Sequence, residues 1–164
     1  MKAVYLVGCV AKKCSSERPA EELYCSVLFR KAREYVLRKM NAADEWYILS
    51  AKHGLLTPGI KVGPYDETLK NAPKPARLKW AGLVINELRK RIQTGDTVVF
   101  LAGKRYREFL EPEVLALGCQ ILVPMRNKRI GQQLEFLGTS GRDGTAHRPG
   151  ARRTEDLAAP LKVS

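Results

Sequence analysis

The chain has 164 residues, 45% of them hydrophobic and 28% charged, a length and balance that suit one domain with a real core and exclude two domains of ordinary size. No apolar run approaches the length that crosses a bilayer, and the N-terminus enters a strand-like run without a signal-peptide pattern, so a cytoplasmic protein is expected. The formal net charge of +12 favours a polyanionic partner, nucleic acid or nucleotide.

Four short, apolar runs read as strands buried on both faces: Lys2 to Val7, Glu45 to Ser50, Thr97 to Leu101 and Gln120 to Val123. Helical patterns alternate with them. Leu23, Val27, Leu28, Ala32, Tyr35, Val36 and Met40 form one apolar stripe, with Arg30, Arg33 and Arg38 largely outside it. A second helix follows Asn71 as a candidate cap, with Pro73 and Pro75 in its first turn and Leu78, Ala81, Ile85, Leu88 and Ile92 as its stripe. Gly95-Asp96 supplies the turn into the third strand. Tyr106, Phe109 and Leu110 suggest a short helix interrupted near Pro112, and Ile130 to Leu137 a last one.

The expected fold is therefore a single α/β domain over residues 1–138, with a mainly parallel central sheet of about four or five strands flanked by helices. Residues 139–164, rich in Gly, Arg, Pro and Ala without an apolar period, read as a loose basic tail. In the cytosol the four cysteines, Cys9, Cys14, Cys25 and Cys119, are expected to be reduced thiols. Their spacing is not that of a zinc site, and neither a metal nor a cofactor is expected.

In a parallel sheet the strand C-termini open on one edge, where the loops Cys9 to Glu21, Ala51 to Leu69, Ala102 to Arg105 and Met125 to Gly131 would converge. Cys9 ends the first strand and is followed by Lys12 and Lys13, whose charge favours the reactive thiolate. The competing explanation is a small residue that is simply buried. His53 is the one histidine outside the tail and the natural acid or base near neutral pH, unless it is an ordinary surface residue. Candidate ligand contacts are Tyr24, Ser26, Ser50, Tyr65, Asp66 and Gly103. Ser26 could equally start a helix, Tyr24 pack in the core and Asp66 act as a cap. Ala102-Gly103-Lys104 lacks the full P-loop pattern, so an ATPase is not expected.

The stretches LYCSVLFRKAREY (Leu23 to Tyr35), ILSAKHGLL (Ile48 to Leu56), PYDETL (Pro64 to Leu69) and FLAGKRYREFLEP (Phe100 to Pro112) resemble a bacterial family of unknown function often described as similar to the peroxide-stress protein YaaA. The likeness runs from about Lys2 to about Leu137 and implies DNA binding and protection against oxidative damage. A more distant pattern resembles the archaeosine synthase core domain, with Cys9, Lys13, Tyr24 and Ser26 at its Cys, Lys, Tyr and Ser. Here Gly8 and Val10 replace that motif's proline and serine, and the tyrosine stands farther from the lysine. What this likeness implies is a base-binding pocket.

Three functions follow as expectations. The first is an enzyme acting on a nucleobase, nucleotide or nucleic acid, with Cys9 as nucleophile, Lys13 as its electrostatic activator and His53 as acid or base. The second is a DNA-binding protein of the oxidative-stress response that grips phosphates with Arg30, Arg33, Arg38, Lys79, Arg89 and Lys90. In the third, Cys9 is a redox sensor.

Overall fold

A computed structural model of the protein describes residues 1–139. Of the tail expected over residues 139–164, Thr139 instead closes the last helix, and residues 140–164 lie outside the described residues. The elements run β1 (Ala3–Gly8), β2 (Arg18–Pro19), α1 (Ala20–Leu23), α2 (Val27–Lys39), β3 (Glu45–Ser50), β4 (Gly54–Leu56) and β5 (Lys61–Val62). They continue with α3 (Lys74–Leu88), β6 (Thr97–Leu101), α4 (Lys104–Arg107), α5 (Glu111–Ala116), β7 (Gln120–Leu122) and α6 (Ile130–Thr139).

The fold is the expected single α/β domain. Its sheet has the order β4-β3-β1-β6-β7, with β1, β3, β6 and β7 parallel and β4 antiparallel at the edge. Alternate residues of β1 serve opposite layers. Tyr5 and Val7 face α2 and α6 through Phe29, Ala32, Tyr35, Val36 and Leu137, whereas Val4 and Leu6 face α3 and α5 through Trp80, Val84, Leu88 and Val114. Leu6 is 0% exposed, and a leucine buried this fully contributes about 2 kcal/mol. Two aspartates pin the start of β1: Asp44 accepts from the Ala3 N–H at 2.8 Å and Asp96 from the Lys2 N–H at 3.0 Å.

Several helix details differ from the sequence reading. Leu23 belongs to the separate helix α1, because the chain is extended at Tyr24 before α2 begins. In α2 the buried face is Phe29, Ala32, Tyr35 and Val36, while Val27 is half exposed. Pro73, not Asn71, is the residue before α3, and the stripe turns about Trp80 and Val84, leaving Leu78 on the outside. Trp80 wins the inward position because its ring buries more area than Leu78 would, and its indole N–H reaches the Ser50 carbonyl at 2.8 Å.

The cysteines also differ. Cys14 and Cys25 are joined in a disulfide, and only Cys9 and Cys119 are free. An antiparallel bridge between Lys13 and Tyr24 sets the two backbones side by side and brings the Cys14 and Cys25 Cα atoms to 5.8 Å, within bonding reach. Spacing in sequence did not reveal this contact.

Candidate active site at the strand ends

From β1 the chain crosses to one face of the sheet, and from β6 it leaves to the other, so the neighbouring ends of β1 and β6 form the switch point where open α/β sheets bind ligands. The backbones are close there: a Cβ on Gly8 would lie 2.9 Å from the Ala102 Cβ, so only glycine fits. Cys9 follows immediately. Its N–H donates to the Leu49 carbonyl at 2.9 Å, and its thiol, on a residue 8% exposed, donates to the Tyr106 hydroxyl oxygen at 3.3 Å. The same oxygen accepts from the Leu69 N–H at 3.3 Å.

The long connections after β1 and β3 are stitched together by the β2–β5 pair and by the Ala20 N–H donating to the Ile60 carbonyl at 2.8 Å. This brings Tyr24 to Tyr65. Their hydroxyls are 2.6 Å apart, and the Tyr65 hydroxyl lies 2.6 Å from Ser50 Oγ, which also accepts from the His53 N–H at 3.0 Å. Three hydroxyls joined by two hydrogen bonds leave one proton over, available to a ligand or to proton movement along the chain. Lys13 Nζ donates to the carbonyls of Val10 at 3.1 Å and Ala11 at 3.3 Å and sits 4.2 Å from the Tyr65 ring centre.

Of the candidates named from sequence, the structure gathers Cys9, Lys13, Tyr24, Ser50 and Tyr65 into this cluster, with the exposed His53 ring edge-on to Tyr65 at 5.4 Å. Ser26 has a structural job: it caps α2, accepting from the Phe29 N–H at 3.1 Å. Asp66 is exposed beside Tyr65, and Gly103 is the exposed residue that precedes α4. The six proposed phosphate contacts divide between α2 and α3 with the residues just beyond it, on opposite faces of the sheet. Arg33 is engaged with Glu21 at 3.5 Å, Arg38 with the Leu137 carbonyl at 2.8 Å, Arg89 with Glu113 at 3.4 Å and Lys90 with Glu87 at 2.8 Å. Arg30 and Lys79 are exposed, one on each of those helices.

Tyr106 joins the site without having been singled out. Its signal was position, five residues past the end of β6 on the turn that leaves the switch point. A second buried cluster braces that turn. Glu111, 5% exposed, receives Arg107 at 2.5 Å and Arg126 at 3.0 Å, while Arg107 Nε donates to the Ala102 carbonyl at 3.2 Å.

Burial controls the ionisation of these groups. It holds Tyr24 up at about 12, against a weaker lowering by its bond to Tyr65, and it raises Tyr65 and Tyr106 as well. Burial, reinforced by Lys52 and opposed by Glu67, lowers His53, which favours the neutral imidazole at pH 7. Tyrosines whose folded pKa lies above the unfolded value of about 10 stabilise the protein below that pH, and the contribution is lost as pH rises through the folded value. Urea midpoints are therefore expected to fall between about pH 10 and 12, and to fall less steeply in Tyr24→Phe. A variant with the same pH slope as the parent would refute the assignment.

A family model matches residues 4–139. The chain belongs to the family of unknown function DUF6884. The uncharacterized protein YfjM of Bacillus subtilis (strain 168) is 31% identical over 150 residues, covering 84% of this chain and 93% of YfjM. No solved structure matches. The DUF6884 match spans the elements that build the strand-end site, from β1 to α6. Neither match is to a YaaA protein or an archaeosine synthase, so those likenesses rest on the short stretches of residues alone. Among the described residues no group of His, Cys, Asp and Glu could hold a metal, and no helix is long and apolar enough to cross a membrane.

Proposed function

We propose that this DUF6884 chain is an enzyme that acts on a nucleobase, nucleotide or nucleic acid, with Cys9 as its nucleophile. The observation that carries the reading is the place of Cys9: its thiol ends the central strand at the switch point, hydrogen-bonded to Tyr106 and packed in the same cluster as Tyr24 and Tyr65. In this reading Lys13 supplies positive charge beside the tyrosines, His53 exchanges the proton, and the Tyr24–Tyr65–Ser50 hydroxyls orient the ligand.

Charge supports an anionic ligand. Lys12, Lys52 and Lys104 are exposed and follow the C-terminal ends of three adjacent strands, β1, β3 and β6, and the whole chain carries +12. The alternative of a non-catalytic DNA-binding protein has less support, because its six cations lie on two opposite faces. The alternative of a peroxide sensor rests on the free thiol of Cys9 alone and leaves the exposed lysines at the strand ends without a role.

The test is protection of Cys9. The full chain is treated with iodoacetamide in the presence of single nucleobases, nucleosides, nucleotides and short oligonucleotides, and alkylation is followed by peptide mass. At least one class is expected to slow alkylation of Cys9 and to undergo turnover that Cys9→Ala abolishes. If no compound protects Cys9, or if Cys9→Ala turns over a protecting compound at the parental rate, the proposal falls.

A further inference from the structure

The disulfide stands beside the candidate site. Cys14 directly follows Lys13 and Cys25 directly follows Tyr24, and those two site residues are the bridged pair. Besides the disulfide, the two segments are held by the Cys14 N–H donating to the Leu23 carbonyl at 2.7 Å and the Cys25 N–H donating to the Lys12 carbonyl at 3.1 Å. The next residue, Ser26, caps α2, so the sulfur bridge ties the loop after Cys9 to a rigid helix. Both Lys13 and Tyr24 end on Tyr65, one by its ammonium over the ring and the other by its hydroxyl.

The two pairs of cysteines differ in access. Cys14 and Cys25 are half-buried, whereas Cys9 and Cys119 are buried. Thiol–disulfide exchange needs an approach to sulfur, and this difference directs it to the Cys14–Cys25 pair.

We propose that Cys14 and Cys25 form a reversible thiol–disulfide switch, with a low-molecular-mass disulfide as co-reactant, that sets the register of Lys13 against Tyr24 and so regulates access to Cys9. Regarding that register as control of a ligand site rests on the reading of Cys9 given above. Oxidation proceeds by attack of one cysteine thiolate on a sulfur of RSSR, forming a mixed disulfide and releasing RS⁻. The second thiolate then displaces the other RS⁻. Two protein thiols are oxidised, RSSR is reduced to two RSH, and the two thiol protons end on RSH. In the oxidised form Lys13 and Tyr24 are held on Tyr65. Reduction leaves that register to the backbone hydrogen bonds, which loosens the Tyr24–Tyr65 packing in the cluster that buries Cys9.

The experiment equilibrates the full chain in glutathione buffers from reducing to oxidising and maps each cysteine by differential alkylation and mass. Cys14 and Cys25 are expected to titrate together as one two-electron couple, unchanged in Cys9→Ser, while Cys119 stays a thiol. Cys9 alkylation is expected to be faster in the reduced form by about fivefold or more, the lower end of typical coupling between sites. A Cys14→Ser/Cys25→Ser chain is expected to show the fast rate in every buffer; should it fail to fold, the comparison of the parent in its two redox states decides the matter. Failure of Cys14 and Cys25 to pair under oxidising glutathione would overturn the proposal, as would a Cys9 rate indifferent to their state. If no nucleotide protects Cys9 but its rate still follows the pair, the enzyme reading fails and the switch stands.

Discussion

Glu111→Ala is expected to lower the unfolding free energy by about 3 kcal/mol, because it removes a buried carboxylate that Arg107 and Arg126 share. Arg107 has the greater need: its side chain is 12% exposed and would keep an uncompensated charge against the Ala102 carbonyl. Arg126, at 27%, can turn toward water, which places the loss near the lower end for a broken buried pair. Glu111→Gln retains a hydrogen-bond acceptor and is expected to lose less. Urea denaturation at neutral pH checks both variants. A loss below about 1 kcal/mol for Glu111→Ala would mean that this cluster behaves as an exposed ion pair. The effect should reach the site, since Arg107 closes α4, the helix that carries Tyr106.

Tyr65→Phe is expected to cost about 2 kcal/mol while leaving the ring in place. Its hydroxyl lies between Ser50 and Tyr24, both buried, so its loss deprives two hydroxyls of a partner. Tyr24→Phe is the informative comparison. It removes an end of the chain and leaves Tyr65 bonded to Ser50, so about half the loss is expected. Equal losses in the two variants would show that Tyr65 is not the hub. Tyr65→Phe/Ser50→Ala should add to Tyr65→Phe only the loss of the bond from the His53 N–H if the two hydroxyls act as one unit, a coupling that denaturation of the four chains measures directly.

Which parts of this were legible in the sequence follows from how far each signal extends along the chain. The parallel strands β1, β3 and β6 announce themselves because each is buried on both sides and therefore almost continuously apolar, whereas β7, also expected to be buried on both faces, lies at the sheet edge with Gln120 exposed and Ile121 and Leu122 half-buried. Strand β4 has only Gly54, Leu55 and Leu56, too short for any period, and β2 and β5 have two residues each, so nothing local distinguishes them from loop. Pro73 and Pro75 located α3 to within a few residues, but the inward side of that helix was decided by Trp80, whose partner, the Ser50 carbonyl, is far away in sequence.

The site was readable as an edge and not as a set of contacts. Ending strands at Gly8, Ser50 and Leu101 implies that Cys9, His53 and Gly103 follow the same edge of the sheet if those three strands are parallel, as they are. Meeting of Tyr24 with Tyr65 depends on the small β2–β5 pairing, and entry of Tyr106 depends on the Glu111 cluster; neither leaves a local pattern. The disulfide was hidden for another reason. Expecting a reducing compartment sets a prior on all cysteines alike, whereas bonding is decided pair by pair through the backbone distance, here 5.8 Å.

The central place of β1 has a consequence for synthesis. Val4 pairs with Glu45 on one side and with Val98 on the other, so the chain must be made past β6 before its earliest strand has both neighbours. Until then a nascent β1–β3 pair presents an open row of amide and carbonyl groups on a Val- and Leu-rich ribbon, the sort of edge that recruits foreign strands. Closing the gap between Val4 and Val98 is a long-range step, the kind that slows folding. A ribosome stalled before Thr97 would hold the protein at its most aggregation-prone moment, and chaperone dependence during translation should peak there.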